Sequence, residues 1–368
     1  MLSLLGLLVI HAFGITNILI GLINAFKEKF NIEVFLDNNS EISNFVYDNK
    51  KWSFGMNTYS DLQIWYYTFD RGYFSSGGGQ GGVGEIDFTG QHRCFYNDYS
   101  TSNKIDTTIF IDGLEHNKIV FINGRVEKID FSYEDKDKIV INDNSKLDNK
   151  FENSNSLIDL NNALTNKSYK ILVKKDYSLK RPLIVYHTTS NKIKFKNINL
   201  RLEFQLEENS SLRLIDFFSD TSEKNFVNIF YNFDLKKNTI LKNYKIDKNQ
   251  NKNIKYCFNN IEQDENSISE TFILSAGSNF LKNEINANLN GIYSSAFVNG
   301  IFSLINNQQH EIRTTINHLI ENTKSYQLIK SVLGKESKAV YQGKIYVNSK
   351  AQKTDGYQLS KAILLDES

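Results

Sequence analysis

The sequence predicts an all-β protein whose body is a long succession of short strands joined by tight turns. Three observations predict it. After Thr107, runs rich in Val, Ile, Phe and Tyr recur at intervals of one strand plus one turn, separated by Gly, Asn and Asp. Within the runs polarity alternates. Ile285, Ala287 and Leu289 share one face and Glu284, Asn286 and Asn288 the other, and Ile312, Thr314 and Ile316 oppose Glu311, Arg313 and Thr315. Period two with one apolar face means one buried side and one wet side. Third, helical spacing is almost absent after Pro182, which excludes a parallel sheet flanked by helices. A sandwich, a propeller and a solenoid all fit such a pattern. No recurring Trp-Asp blade motif supports a propeller. Asn residues at turn and outer-face positions suit tight solenoid corners, where left-handed backbone is tolerated.

Three regions follow along the chain: 1–26, 27–105 and 106–368. Met1 to Phe26 carries no charged residue and is long enough, as a helix, to cross a bilayer. It lacks a basic start and a small-residue cleavage site, and His11, Thr16, Asn17 and Asn24 interrupt it. It reads either as a membrane anchor or targeting segment, with Lys27 and Lys29 on the cytoplasmic side, or as a buried helix. Residues 27–105 hold many aromatics, such as Trp52, Trp65 and Tyr66, and the run SSGGGQGGVGE at Ser75–Glu85. No Gly-Lys-Ser/Thr follows that run and no helical pattern opens after it, so it is a flexible loop and not a phosphate cradle. Past Thr107, a polar interval from Glu134 to Asn155 reads as a solvated loop. The spacing of Leu157, Leu160 and Leu164 predicts one short helix, and an alternating strand follows it.

Composition narrows the function. The 43 Lys+Arg nearly balance the 42 Asp+Glu, so the basic excess of a nucleic-acid binder is missing. The two cysteines, Cys94 and Cys257, form no Cys-x-x-Cys and no Cys/His ligand pattern. His92 and Cys94 lie close together without further ligands. His318 falls on the apolar face by parity with Ile312, Thr314 and Ile316 and reads as a satisfied inward histidine, with a transient iron or sulfur relay as the alternative. Cys257 reads as a buried inert thiol; acting as a sulfur acceptor requires a low pKa and a cation near it, for which Lys255 is the neighbour in sequence. Thr354 and Asp355 sit at a turn and suit an Asx-type hydrogen bond. No catalytic residue, no cofactor-binding residue and no defined metal ligand emerges.

Several stretches carry a resemblance. AVYQGKIYVNSKAQKTDGYQ (Ala339–Gln358) is similar to the core of the SufB/SufD family of iron–sulfur cluster assembly scaffolds, matching at Gly343, Ile345, Val347, Ala351, Gln352, Thr354, Asp355 and Gln358. NHLIENTKSYQLIKSVL matches at His318, Ser325 and Lys330. The stretch Ser269–Phe302 keeps the family's order of Gly277, Lys282, Gly291 and Gly300. NKIVFINGR (Asn117–Arg125) and the helix residues Leu160, Asn161, Ala163 and Leu164 resemble the entry into that core, and the AQKTDGYQ stretch favours the SufD type. The resemblance implies a right-handed parallel β-helix over 106–368. It implies a scaffold without catalysis that pairs edge to edge with a SufB-like subunit, near a SufC-like ATPase. The iron–sulfur cluster is then assembled transiently in the complex, with no cofactor on this chain alone. The family's helical C-terminal portion, which contacts SufC, has no counterpart before Ser368. The expected location is the cytoplasm, with a plastid-type organelle or attachment through residues 1–26 as alternatives. From the residues alone, a secreted β-helix enzyme acting on polysaccharide and a β-solenoid binding module stay open.

Overall fold

The computed structural model describes residues 33–36, 43–47, 50–54, 110–144, 155–165, 168–189, 197–219, 224–248 and 251–365. The expectations for Met1–Phe26, the glycine run, His92 and Cys94 lie outside these residues. The chain divides into two compact units, one comprising Met1–Tyr96 with Phe195–Asn197 and the other the remainder. In the first unit, β1 (Glu33–Leu36), β2 (Ser43–Tyr47) and β3 (Lys50–Phe54) form a three-stranded antiparallel sheet.

The second unit is a parallel β-solenoid of about six turns. It opens with β4 (Asn117–Ile122), β5 (Arg125–Asp130), β6 (Ile139–Asn144) and α1 (Ser156–Leu164). The rungs follow as β7 (Ser168–Val173), β8 (Leu183–Thr188), β9 (Asn197–Leu206), β10 (Ser211–Phe218), β11 (Phe226–Leu235), β12 (Ile240–Asp247), β13 (Asn251–Gln263) and β14 (Ile268–Ser275). The last are β15 (Ser278–Leu289), β16 (Ser295–Leu304), β17 (Gln309–His318), β18 (Lys324–Leu333), β19 (Lys338–Val347) and β20 (Asp355–Leu364). From β7 onward the chain alternates between two sheets. Even strands stack as β8-β10-β12-β14-β16-β18-β20 and odd strands as β7-β9-β11-β13-β15-β17-β19, each pair parallel. Residues paired across neighbouring rungs are 27 apart at Ile268 and Ser295 but 31 apart at Lys324 and Asp355. That variation hides the repeat in the sequence.

The two sheets face each other and bury one continuous apolar interior. The alternation read from the sequence sets which residues enter it: Ile285, Ala287 and Leu289 are buried while Glu284, Asn286 and Asn288 point out. Corners use the predicted chemistry. Asp176, Asn209, Asn238 and Asn266 all adopt left-handed backbone, with φ between 57 and 59°, a region open to Asn and Asp at lower cost than to other side chains. They stack as a ladder in which Asn209 donates to Asp176 at 2.6 Å and Asn238 to Asn209 at 2.8 Å. The residue after each corner Asn is Ser or Thr, and its hydroxyl closes the turn, as from Thr239 to the Lys236 carbonyl at 2.7 Å. Gly291 is needed for a different reason: a Cβ there would lie 2.0 Å from the Glu265 backbone nitrogen.

Two departures from the sequence reading are informative. The interval Glu134–Asn155 is not all loop, since the β-branched run Ile139-Val140-Ile141 forms β6, antiparallel to β7. Glu134 itself closes a turn, accepting from Asn117, Tyr177 and the backbone of Lys180 and Arg181. Helix α1 forms where expected, with Asn155 accepting from the Leu157 N–H as its N-cap. The helix lies on the outer face of the odd sheet, where buried Asn161 donates to the carbonyls of Leu200 and Asn228.

Candidate functional site

Strand parity carries charge into the apolar interior. In β10 the inward residues are Leu212, Leu214, Asp216 and Phe218; in β12 they are Leu241, Asn243, Lys245 and Asp247. The parallel register places Asp216 directly beside Lys245 on the next rung. Lys245 Nζ donates to Asp216 Oδ2 at 2.6 Å, Tyr231 donates to the same oxygen at 2.5 Å, and His187 Nε2 lies 2.5 Å from Oδ1. Lys245 also sits 3.5 Å from the centre of the Tyr231 ring, and His187 stacks on Phe218. A second pair lies one step along. Lys255, turned fully inward, donates to Asp247 Oδ1 at 2.9 Å, while the N–H and hydroxyl of Ser278 donate to Oδ2. Beyond it, His310 Nε2 is 2.6 Å from the Ser278 carbonyl, so it carries the proton, and Nδ1 accepts from Ser275 at 2.7 Å.

The electrostatics follow from burial and pairing. Burial alone would raise the Asp216 carboxyl, but Lys245 and His187 overcome it and hold the group well below the usual range. Asp247 is likewise lowered, burial being outweighed by Lys255 and Ser278. Burial lowers His310 and His318, which favours their neutral forms. Cys257 lies among these charges, 1% exposed. Burial pushes its thiol up to about 12, with the attraction of Lys245 and Lys255 offset by Asp216 and Asp247. A cation nearby therefore does not make a thiolate here, because each lysine is already matched by a carboxylate. In the folded protein Cys257 is expected to react with a thiol-alkylating reagent at neutral pH only as fast as the solenoid opens. Mass-spectrometric labelling, native against denatured, measures this.

The other residues singled out by sequence find structural partners. His318 is buried between the hydroxyls of Thr323 at 2.7 Å and Ser325 at 2.9 Å. Thr354 closes its turn by donating to the Ala351 carbonyl at 2.9 Å. The Asx-type bond expected of Asp355 is replaced by one from its backbone N–H to the Thr323 carbonyl, because β20 already begins there; the carboxylate stays exposed. Among the described residues no three His, Cys, Asp or Glu side chains converge as metal ligands. The sequence reading missed His187, Asp216, Lys245 and Asp247. The available signal was an Asp at an inward position of SLRLIDFF.

The two ends of the solenoid differ. At the first, β5 and β6 pair antiparallel to β4 and β7, and β5 exposes Arg125, Glu127 and Lys128 alongside Ile129. Short edge strands, here with charges along β5, resist further pairing. At the other, β19 and β20 are the outermost described strands, and Tyr346, Val347, Tyr357, Ile363 and Leu364 are exposed, Leu364 at 64%.

Comparison with known proteins bears on this region. A family model described as "SUF system FeS cluster assembly, SufBD core domain" matches residues 186–368. The chain belongs to the SufB/SufD family. It is also similar to "Iron-sulfur cluster assembly protein SufD" of Escherichia coli (strain K12), 23% identical over 214 residues, covering 56% of this chain and 50% of that protein. The chain thus spans half the length of the curated relative it matches. The SufBD core begins at Tyr186, inside β8, and takes in the ionic interior from His187 to His310 and both outermost described strands, β19 and β20. Among the described residues no helix is long and apolar enough to cross a membrane.

Proposed function

We propose that this chain is a SufD-like scaffold subunit of a SUF-type complex for iron–sulfur cluster assembly, itself without catalysis. It acts in the cytoplasm beside a SufB-like sister and a SufC-like ATPase, and the cluster is cargo of the complex. The observation that carries this reading is the asymmetry of the solenoid. One end carries the antiparallel strands β5 and β6, while β19 and β20, the outermost described strands, expose apolar side chains within the SufBD core. An exposed, long, apolar strand edge is a template for pairing with another chain. The interior supports a structural role, since its charges are mutually paired and its thiol is protonated.

The test is coexpression with a SufB-type chain and a SufC-type ATPase, followed by purification through this chain. Both partners are expected to follow. Leu364→Asp, at an already exposed position, is expected to release the SufB-type chain without changing thermal unfolding. Anaerobic reconstitution of this chain alone with iron and sulfide is expected to give no cluster absorbance. Purification without any SufB-type partner overturns the reading.

A further inference from the structure

We propose that the outer face of the even-strand sheet is a docking surface for an acidic amphipathic helix of a partner protein. This does not rest on the SUF reading.

The outward residues of this sheet are unusually apolar for a solvent-facing side. One column runs along the solenoid as Ile215, Tyr244, Phe272, Asn299, Leu328 and Leu359, one residue per rung in register. Beside it run Ile246, Leu274 and Ile301, while the facing inward positions of β14 are Ser269, Thr271, Ile273 and Ser275. The polarity of β14 is therefore nearly inverted, which burial of the interior alone does not require. At the first rungs this same face is covered: Phe110 meets Tyr186 edge-on at 5.1 Å, and Phe110, Ile111, Ile215 and Ile246 pack against the buried cluster of Val120, Ile122, Ile184, Tyr186 and Phe217. Tyr244 on β12 is 38% exposed and Tyr357 on β20 is 48% exposed, and no described element lies over the face from β14 to β20.

Charge selects the occupant. The face carries Arg213, Lys242, Lys324, Lys330 and Lys361 against Glu270 and Asp355; Glu270 is paired with Lys242 at 3.1 Å, Asp355 stands opposite Lys324, and Arg213 donates to the Lys180 carbonyl, which leaves Lys330 and Lys361 as the uncompensated pair. Lys330 and Lys361 stand directly opposite each other on β18 and β20. Like charges so placed oppose folding, and both lysines are exposed. A partner that brings carboxylates removes that cost. A second copy of the same face would bring more lysines, and a bilayer would have to accept Glu270, Asp355 and Asn299. The dimensions fit a helix: two outward columns lie ~7 Å apart, less than a helix diameter of about 10–12 Å. The span from β12 to β20 is about 19 Å, the length of roughly thirteen helical residues. The odd sheet already accepts α1 on its own outer face.

The test uses two labelled synthetic helical peptides with one leucine face, flanked by Glu in the first and by Lys in the second, titrated by fluorescence anisotropy. The acidic peptide is expected to bind at least tenfold more tightly, and more weakly as salt rises. The Lys330→Glu/Lys361→Glu variant is expected to reverse the preference. Phe272→Ser, outward and away from the core, is expected to weaken binding with an unchanged circular dichroism spectrum. Equal binding of both peptides, binding of neither, or indifference to the charge reversal overturns the proposal. So does adsorption to phosphatidylcholine/phosphatidylglycerol vesicles without peptide binding, or self-association lost in Phe272→Ser.

Discussion

Asp216→Ala is expected to destabilise the protein by about 3–5 kcal/mol, measured by denaturant unfolding, because it strands Lys245 and His187 in a dry interior. The magnitude comes from the charge left behind, not from the strength of the pair. Adding Lys245→Met to Asp216→Leu is therefore expected to recover part of the loss, since an apolar pair of similar size replaces an ionic one at little cost. The same network predicts an acid profile. Asp216 and Asp247 have folded-state pKa values below the ordinary 3.8. Above 3.8 their contribution is complete. As pH falls below it, the unfolded chain takes up protons first, and stability is lost until the folded carboxylates protonate too. His310 and His318 are depressed below 6.5, so they add a loss that begins earlier, as pH falls through 6.5 towards their folded values. Stability against pH is expected to decline in two stages. In Asp216→Ala the lower stage is expected to shrink and the upper one to remain.

Leu289→Asp is the second large effect expected, several kcal/mol, enough to prevent folding. Leu289 is fully buried and lies between Gln263 and His318 on the neighbouring rungs, and the imidazole of His318 is already held by the Thr323 and Ser325 hydroxyls, its charged form disfavoured by burial. Ser303→Asp, outward and exposed between the buried Phe302 and Leu304, is expected to stay within ~0.5 kcal/mol. Circular dichroism and urea titration of the two variants separate a two-faced strand from one without a fixed side.

The fold was legible wherever physics acts within one strand or one turn. NEINANL displays its buried face directly, corner asparagines announce left-handed backbone, and Leu157, Leu160 and Leu164 mark α1, although its most buried residues are Ile158 and Asn161. The short strand β6 was lost in its polar surroundings, since three β-branched residues are a weak signal between charged ones. The ionic interior was not legible because it depends on register. Asp216 and Lys245 are 29 residues apart, and only the lengths of the intervening corner and loop bring them together. Those lengths vary from rung to rung, so no fixed spacing marks the pair. Cys257 shows the same limit: its neighbour Lys255 was visible, but the carboxylates that neutralise the surrounding cations come from other rungs.

The antiparallel closure at β5 and β6 has a consequence for assembly size. A stack with two receptive ends would add copies head to tail and grow into a filament. At the β5 and β6 end a newcomer meets reversed strands and the exposed charges of β5, so a further parallel rung finds no matching edge there and head-to-tail stacking through that end is opposed.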